Sequence, residues 1–319
     1  MMTSNELRNT DSQLREEVLV YSTGNPGSDL SMICALDEDV PVEISEIGPA
    51  HALAFVNDIL YHHTFGGTYE TFSGKKLKQG GVVASLQYDP TINNSHKYLA
   101  IGSRLDVTKT FGPPIEQTLS LAMEGAIYNA DIGKVILLTD YPINAMSSGD
   151  LLDHPFEQDM NDTFVATSDG KILACEPTQF LPDRRERRRS FDLLQEWDHQ
   201  KELITKRNTS VTDLEVHKRV LYDATVPSYA DRKYYDHAIP TVSGTGKIRE
   251  TVSGKVIAER ERPTALASCN DNLYDAGSEG IYKTLTGEQI LELEPDGHIT
   301  AMCSAPREAL VKAGFLEPN

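Results

Sequence analysis

The fifteen residues TFVATSDGKILACEP (163–177) constrain the fold more than any other stretch. Two runs of apolar and β-branched residues, each too short for a stable helix, flank Ser168-Asp169-Gly170. Gly170 can supply the positive φ that a tight hairpin turn needs. The same strand–turn–strand rhythm returns near the C-terminus in TVSGKVIAE (251–259), TLTGEQILE (284–292) and EPDGHITAM (294–302). These stretches are predicted hairpins. No strict period links them, so the sequence does not read as a repeat protein.

Upstream, VLVY (18–21) and SMICAL (31–36) read as strands. DEDVPVEISEIGP (37–49) alternates at Val40, Val42 and Ile44, with Pro41 near its start, the pattern of an edge strand. Pro49 then opens AHALAFVNDILYHH (50–63). There Leu53, Val56 and Leu60, beside Ala52, Phe55 and Ile59, form a broad apolar helical face, which predicts a helix. VVASLQYD (82–89) and KYLAIGSRLDV (97–107) are predicted strands. GPPIEQTLSLAMEGAIYNADIG (112–133) is a predicted helix, with Pro114 in its first turn and Gly133 as its stop. KVILLTDYPI (134–143) follows as a buried strand, so strand, helix and strand suggest a right-handed crossover. Further helices are expected over about 184–207, within TSVTDLEVHKRVLYDATVP (209–227) with Thr212 or Asp213 as cap, and in SAPREALVKAGF (304–315) with Ser304 as cap and Gly314 as stop.

The expected fold class is therefore α+β: a mixed α/β core with a β-hairpin-rich C-terminal part. Its divisions are an N-terminal arm (1–17), an α/β core with a terminal hairpin (18–182), a charged helical segment and linker (183–240), and a β-rich C-terminal region with a short final helix (241–319).

Composition narrows the function classes. The chain has 319 residues and a formal net charge of −18, which repels polyanions at a distance. Its four cysteines (Cys34, Cys175, Cys269, Cys303) are scattered, with no C-x-x-C pair to begin a zinc site, and each is expected as a small buried apolar residue. The N-terminal MMTSNELRNTDSQLREE has no apolar core of a secretory signal, and no run approaches the ~20 apolar residues of a membrane helix. The expectation is a protein made in the cytoplasm, with no membrane partner and no cofactor.

Tests for catalytic motifs fail one by one. SGTGK (243–247) resembles a phosphate loop, but Thr241 stands where its first glycine belongs and Ile248 where its hydroxyl belongs. On the predicted helix, His51 and His62 would lie about 16 Å apart, and His62 and His63 would point in different directions, so no metal site is expected. No G-x-S-x-G is present, and Ser103 has no partner histidine to nominate. Asp140 ends the 134–139 run, and Asp106 would lie near it if the two strands are neighbours, with Arg104 as an anion anchor. The glycine pairs 66–67 and 80–81 suit turns better than a dinucleotide grip.

The remaining signal is FLPDRRERRRSFDLLQEWDHQ (180–200), with five arginines in six positions. Arg184, Arg185, Arg187, Arg188, Arg189 and Trp197 are the candidate interaction residues. Acids flank the run, and on a helix Arg188 and Arg189 would both reach Asp192. Arginine's planar fork suits carboxylates on a partner surface. The leading expectation is a structural or assembly protein that contacts other protein subunits, of the same or a different chain. A virion component of a tailed bacteriophage (capsid, neck, tail or baseplate) is one such setting. The alternatives are an enzyme with an acidic site at strand ends and a nucleic-acid-associated protein using Arg184–Arg189.

Overall fold

The computed structural model describes residues 16–24, 31–47, 50–88, 96–104, 124–131, 133–152, 162–175, 201–227, 245–294 and 297–318. Within them the apolar runs become strands grouped in successive antiparallel sheets. The first holds β1 (Glu17–Gly24), β2 (Ser31–Asp37) and β3 (Val40–Ile47). The second holds β4 (Ala50–Val56), β5 (Ile59–Thr64) and β6 (Gly67–Glu70), completed by a bridge between Tyr69 and Lys76. The third comprises β7 (Val82–Tyr88), β8 (His96–Arg104), β9 (Gly125–Asn129) and β10 (Lys134–Thr139). The fourth comprises β11 (Ile143–Gly149), β12 (Asp162–Thr167), β13 (Lys171–Cys175) and β14 (Lys201–Lys206). The fifth comprises β15 (Ser210–His217), β16 (Val220–Val226), β17 (Thr245–Glu250) and β18 (Val256–Glu261). The sixth comprises β19 (Ala265–Cys269), β20 (Asn272–Ala276), β21 (Gly280–Lys283) and β22 (Gln289–Glu292). The last strand, β23 (His298–Pro306), returns to the first sheet and pairs with β1, Val20 opposite Cys303. A short helix, α1 (Arg307–Lys312), follows it.

The first strand of each sheet packs against the first strand of the next, in the closed order β23, β4, β7, β11, β15, β19 and back to β23. Each junction between sheets has its own cluster of buried side chains. Leu53 and Leu60 meet Val18 and Ala305 at one junction. Phe164 and Ile172 meet Val211 and Leu221 at another, and Leu19 and Tyr21 meet Ile281 and Met302 where the ring closes. Six radial meanders around a central axis make a six-bladed β-propeller.

The expected α+β class is thereby overturned. Residues 50–63, predicted as a helix, form the β4–β5 hairpin, and 210–226 form the β15–β16 hairpin. Strand 201–206 replaces the end of the charged helix, and 125–129 is a strand where a helix was expected. The antiparallel pairing of β8, β9 and β10 leaves no place for a right-handed crossover. The physical reason is burial. Inner strands are enclosed on both faces, so they lose the alternation that marks a half-exposed strand and read as continuous apolar runs. Crowding at the axis also favours small residues there, such as Ala52, Ala54, Ala145, Ala265, Ala267 and Ala305, all buried. The hairpin at 163–175, the strand at 134–139, the edge strand at 40–47 and the short final helix do appear. Pro306, not Ser304, stands at the helix N-terminus, and Gly314 closes the other end with φ +83°.

Three blades share a local pattern. Leu60-Tyr61-His62, Leu221-Tyr222-Asp223 and Leu273-Tyr274-Asp275 occupy the second strand of blades 2, 5 and 6. In each blade a threonine N–H (Thr71, Thr251, Thr284) donates to the carbonyl of that leucine at 2.8, 2.8 and 2.9 Å. Leucine and threonine are 11 positions apart in blades 2 and 6 and 30 apart in blade 5.

Candidate functional site

The axis of the ring holds a cavity of about 810 Å³. Its walls come from the inner strands, with Asn144 and Ser147 of β11, Asp213 and Glu215 of β15 and Ser268 of β19 among them. An inner strand pairs through one edge only, so its other edge presents free N–H and C=O groups toward the axis. Side chains of the neighbouring blade, and in one case of the same strand, satisfy several of them. Asp213 accepts from the Leu266 N–H at 2.8 Å and the Leu214 N–H at 2.9 Å. Glu215 accepts from the Ser268 N–H at 3.0 Å, and Ser147 Oγ accepts from the Val216 N–H at 3.2 Å. Asn144 Nδ2 donates to the Val211 carbonyl at 3.3 Å, and His217 Nδ1 lies 2.8 Å from Ser268 Oγ. Strands β11, β15 and β19 are thus stitched across the blade junctions.

Asp213 and Glu215 are partly buried and line the cavity. Burial pushes Asp213 up to about 7, against the pull of its two N–H donors. Burial, then repulsion from Asp213, pushes Glu215 up to about 8. Unfolded carboxylates titrate near pH ~4. Both groups bind protons more tightly in the folded state, so the stability they confer is complete below about pH 4 and is lost as pH rises through about 7 to 8. Thermal unfolding between pH 5 and pH 9 should show the wild type losing several degrees of Tm relative to D213N/E215Q. Parallel profiles would refute the coupling.

The sequence-derived candidates fare differently. Arg184, Arg185, Arg187, Arg188, Arg189, Trp197 and Asp106 lie outside the described residues. Asp140 is half exposed and lies 3.9 Å from both Lys171 and Lys201. Ser103 and Arg104 end β8, with Arg104 opposite Gly125. The histidines are not spaced along a helix. The β4–β5 register places His63 opposite Ala52 and brings the rings of His51 and His63 to 6.4 Å. His63 Nδ1 accepts from the Gly81 N–H at 3.2 Å, and His62 Nδ1 lies 2.9 Å from Thr71 Oγ1. Burial lowers His62 to about 4, so it is neutral. Among the described residues, no three His, Cys, Asp or Glu side chains converge as metal ligands. Thr245–Lys247 of the SGTGK stretch form the start of β17, and Gly246 packs against the Thr225 carbonyl and Pro263, so these three residues lie in a strand. Cys34, Cys175 and Cys269 are buried thiols, and burial pushes Cys269 up to about 12. No helix among the described residues is long and apolar enough to cross a membrane. Sequence reasoning missed Asp213 and Glu215, reading Asp213 as a helix cap; their i, i+2 spacing on a strand was the available signal.

No protein-family model and no curated protein sequence matches the chain. Solved structures align with it at 10% identity. Apo AztD from Citrobacter koseri aligns over 91% of this chain and 98% of its own, with a TM-score of 0.39. The Cps50 (Swd1) β-propeller domain of Myceliophteria thermophila aligns over 88% and 98%, also at 0.39. Chaetomium thermophilum Sqt1, bound to the N-terminus of the ribosomal protein L10, aligns over 89% of this chain and 74% of its own, at 0.38. Likeness at this level bears on neither family nor partner. The propeller assignment rests on this chain's own ring of strands.

Proposed function

We propose that this chain is a protein-interaction scaffold whose working surfaces are the rim and faces of the ring. The observation that carries the reading is the state of the axial carboxylates. Asp213 and Glu215, the strongest candidates for acid–base work, already hold backbone N–H groups of the next blade. Among the described residues, by contrast, the outer strands of the rim pair through one edge and hold apolar side chains in solvent, such as Val40 (60% exposed) and Leu203 (53% exposed). Residues 176–200, which hold the arginine run, connect Cys175 to Lys201, and these two residues pair on the β13–β14 ladder of blade 4. Arg184, Arg185, Arg187, Arg188, Arg189 and Trp197 would extend the contact there. A place in a tailed-phage particle is one finer form of this reading, and it predicts many copies per particle.

A photo-reactive amino acid at Leu203 tests the scaffold. The expected product is a covalent adduct with a polypeptide identified by mass spectrometry. Absence of polypeptide adducts at Leu203, Val40, Leu152 and Leu285 would overturn it.

A further inference from the structure

The partly buried arginines of this ring hold aspartates. Arg207 and Arg260 each set Nε and Nη2 on one carboxylate, and Arg249 and Arg307 also lie against an aspartate. Arg262 breaks the pattern. It is half-buried in the connection between β18 and β19, and its Nε is enclosed. Among the described residues it has no hydrogen-bond or ion-pair partner. Acids are not scarce, since the chain holds 48 acidic and 30 basic residues.

His298, the first residue of β23, is a second such group. Its Nε2 is enclosed and has no hydrogen-bond partner among the described residues. His298 stands opposite Gly24 of β1, and a Cβ on that glycine would lie 3.0 Å from His298 Cε1 and Nε2, so the missing side chain makes room for the ring. Gly277 joins the two segments. A Cβ there would lie 2.9 Å from the Arg262 carbonyl, and the Gly277 carbonyl accepts from the Ile299 N–H at 3.3 Å. Thr264 and Thr300, two residues beyond Arg262 and His298, line the axial cavity. Burial holds the His298 imidazole below its ordinary range, the Arg262 charge acts in the same direction, and no carboxylate among the described residues opposes them.

Buried polar atoms in folded proteins are nearly always hydrogen-bonded. Water can accept from both nitrogens, yet it leaves the half-buried guanidinium charge uncompensated. An anion accepts from both and offsets the charge. The ring's own usage selects the kind of anion: at Arg207 and Arg260 the Nε edge takes a carboxylate, whose two oxygens match the planar fork. We infer that Arg262 and His298 form a binding site for a carboxylate from outside this chain, held on the Nε edge of Arg262 and by His298 Nε2. The site is separate from the rim surfaces proposed above and does not need them. Its carboxylate belongs either to an acidic polypeptide or to a small carboxylic acid.

NMR of the His298 ring tests it, in the purified full chain with isotope-labelled histidine, assigned through H298Q. The probes are acetate, succinate and a tri-glutamate peptide, with inorganic phosphate as the rival anion, all at constant ionic strength. The His298 signals should move saturably with a carboxylate, and the titration midpoint of the ring should rise, because a bound anion favours the charged imidazole. R262Q should weaken binding about tenfold or more, the worth of one charged hydrogen bond. R262K keeps the charge, loses the Nε edge and should also bind more weakly; it carries the comparison if R262Q does not fold. Unchanged His217 signals establish that a variant is folded. Saturation by the peptide where acetate and succinate have no effect assigns the carboxylate to a polypeptide, and an equal response to succinate assigns it to a small acid. No saturable movement with any carboxylate, tighter binding of phosphate than of every carboxylate, or wild-type affinity in the folded arginine variant would overturn the inference.

Discussion

Removing residues 298–319 should leave a chain that does not fold cooperatively. These residues supply β23 and α1, the only link by which blade 1 acquires its inner strand among the described residues. Eight positions of β1, Glu17 to Gly24, would lose their β23 partners and keep only those on β2. Four large buried side chains go with them: Ile299, Met302, Leu310 and Leu316. At roughly 1.5–3 kcal/mol each, that loss is roughly 6–12 kcal/mol. Whole domains are stable by only about 5–15 kcal/mol. The cut also opens the ring on both sides, because Ile299 and Met302 pack toward blade 6 while Ala305 and Leu310 pack toward blade 2. A second clasp, in which Asn270 and Glu17 exchange three hydrogen bonds of 2.9 to 3.0 Å, joins blade 6 to β1 but cannot replace a strand. The expected result is loss of the sigmoidal urea transition seen by circular dichroism, with recovery when a peptide of residues 298–319 is added in trans. An unchanged urea midpoint in the truncated chain would show that closure does not hold the ring.

The same architecture explains what could be read from the chain and what could not. Hairpins with a glycine turn were legible, as at Gly170 and Gly254, because the residue type announces the positive φ. Turns without glycine were not. Asn57-Asp58 (φ 51° and 63°) and Lys218-Arg219 (φ 47° and 65°) both adopt a two-residue hairpin turn that usually favours Asn-Gly or Asp-Gly. With the turns hidden, AHALAFV and ILYHH fused into one apparent helix. The repeat was hidden by spacing. The 30-residue interval in blade 5 contains residues 228–244, which displace Thr251 from the position that Thr71 and Thr284 hold relative to their leucines. The axial carboxylates were hidden for a different reason. Which neighbour Asp213 and Glu215 reach depends on how blade 5 sits against blade 6, and that is a property of ring closure, not of local sequence.

Replacing Arg207 by methionine should cost about 3–5 kcal/mol, the range for breaking a buried ion pair. Arg207 follows β14 and reaches into blade 5. There its Nε lies 3.1 Å and its Nη2 2.6 Å from the two carboxylate oxygens of Asp223, which is fully buried. Nη2 also donates to the Thr251 carbonyl at 3.0 Å, tying the same turn that the threonine repeat anchors. Arg260 of β18 grips Asp275 of blade 6 in the same way, Nε to Oδ2 at 2.7 Å. An arginine at the outer end of one blade thus clamps the second-strand aspartate of the next. Blade 2 holds His62 at that position and satisfies it with Thr71, so the clamp is replaced by a neutral hydrogen bond. Methionine keeps the bulk of Arg207 but strands the Asp223 charge, leaving Arg249 at 3.8 Å as its remaining cation. R207K should also be destabilising, by less, because an ammonium cannot engage both oxygens as the fork does. The check is a urea midpoint at constant m-value. A loss below about 1 kcal/mol, the size of an exposed pair, would show that Arg249 alone sustains Asp223 and that the clamp between blades 4 and 5 is not an energetic link.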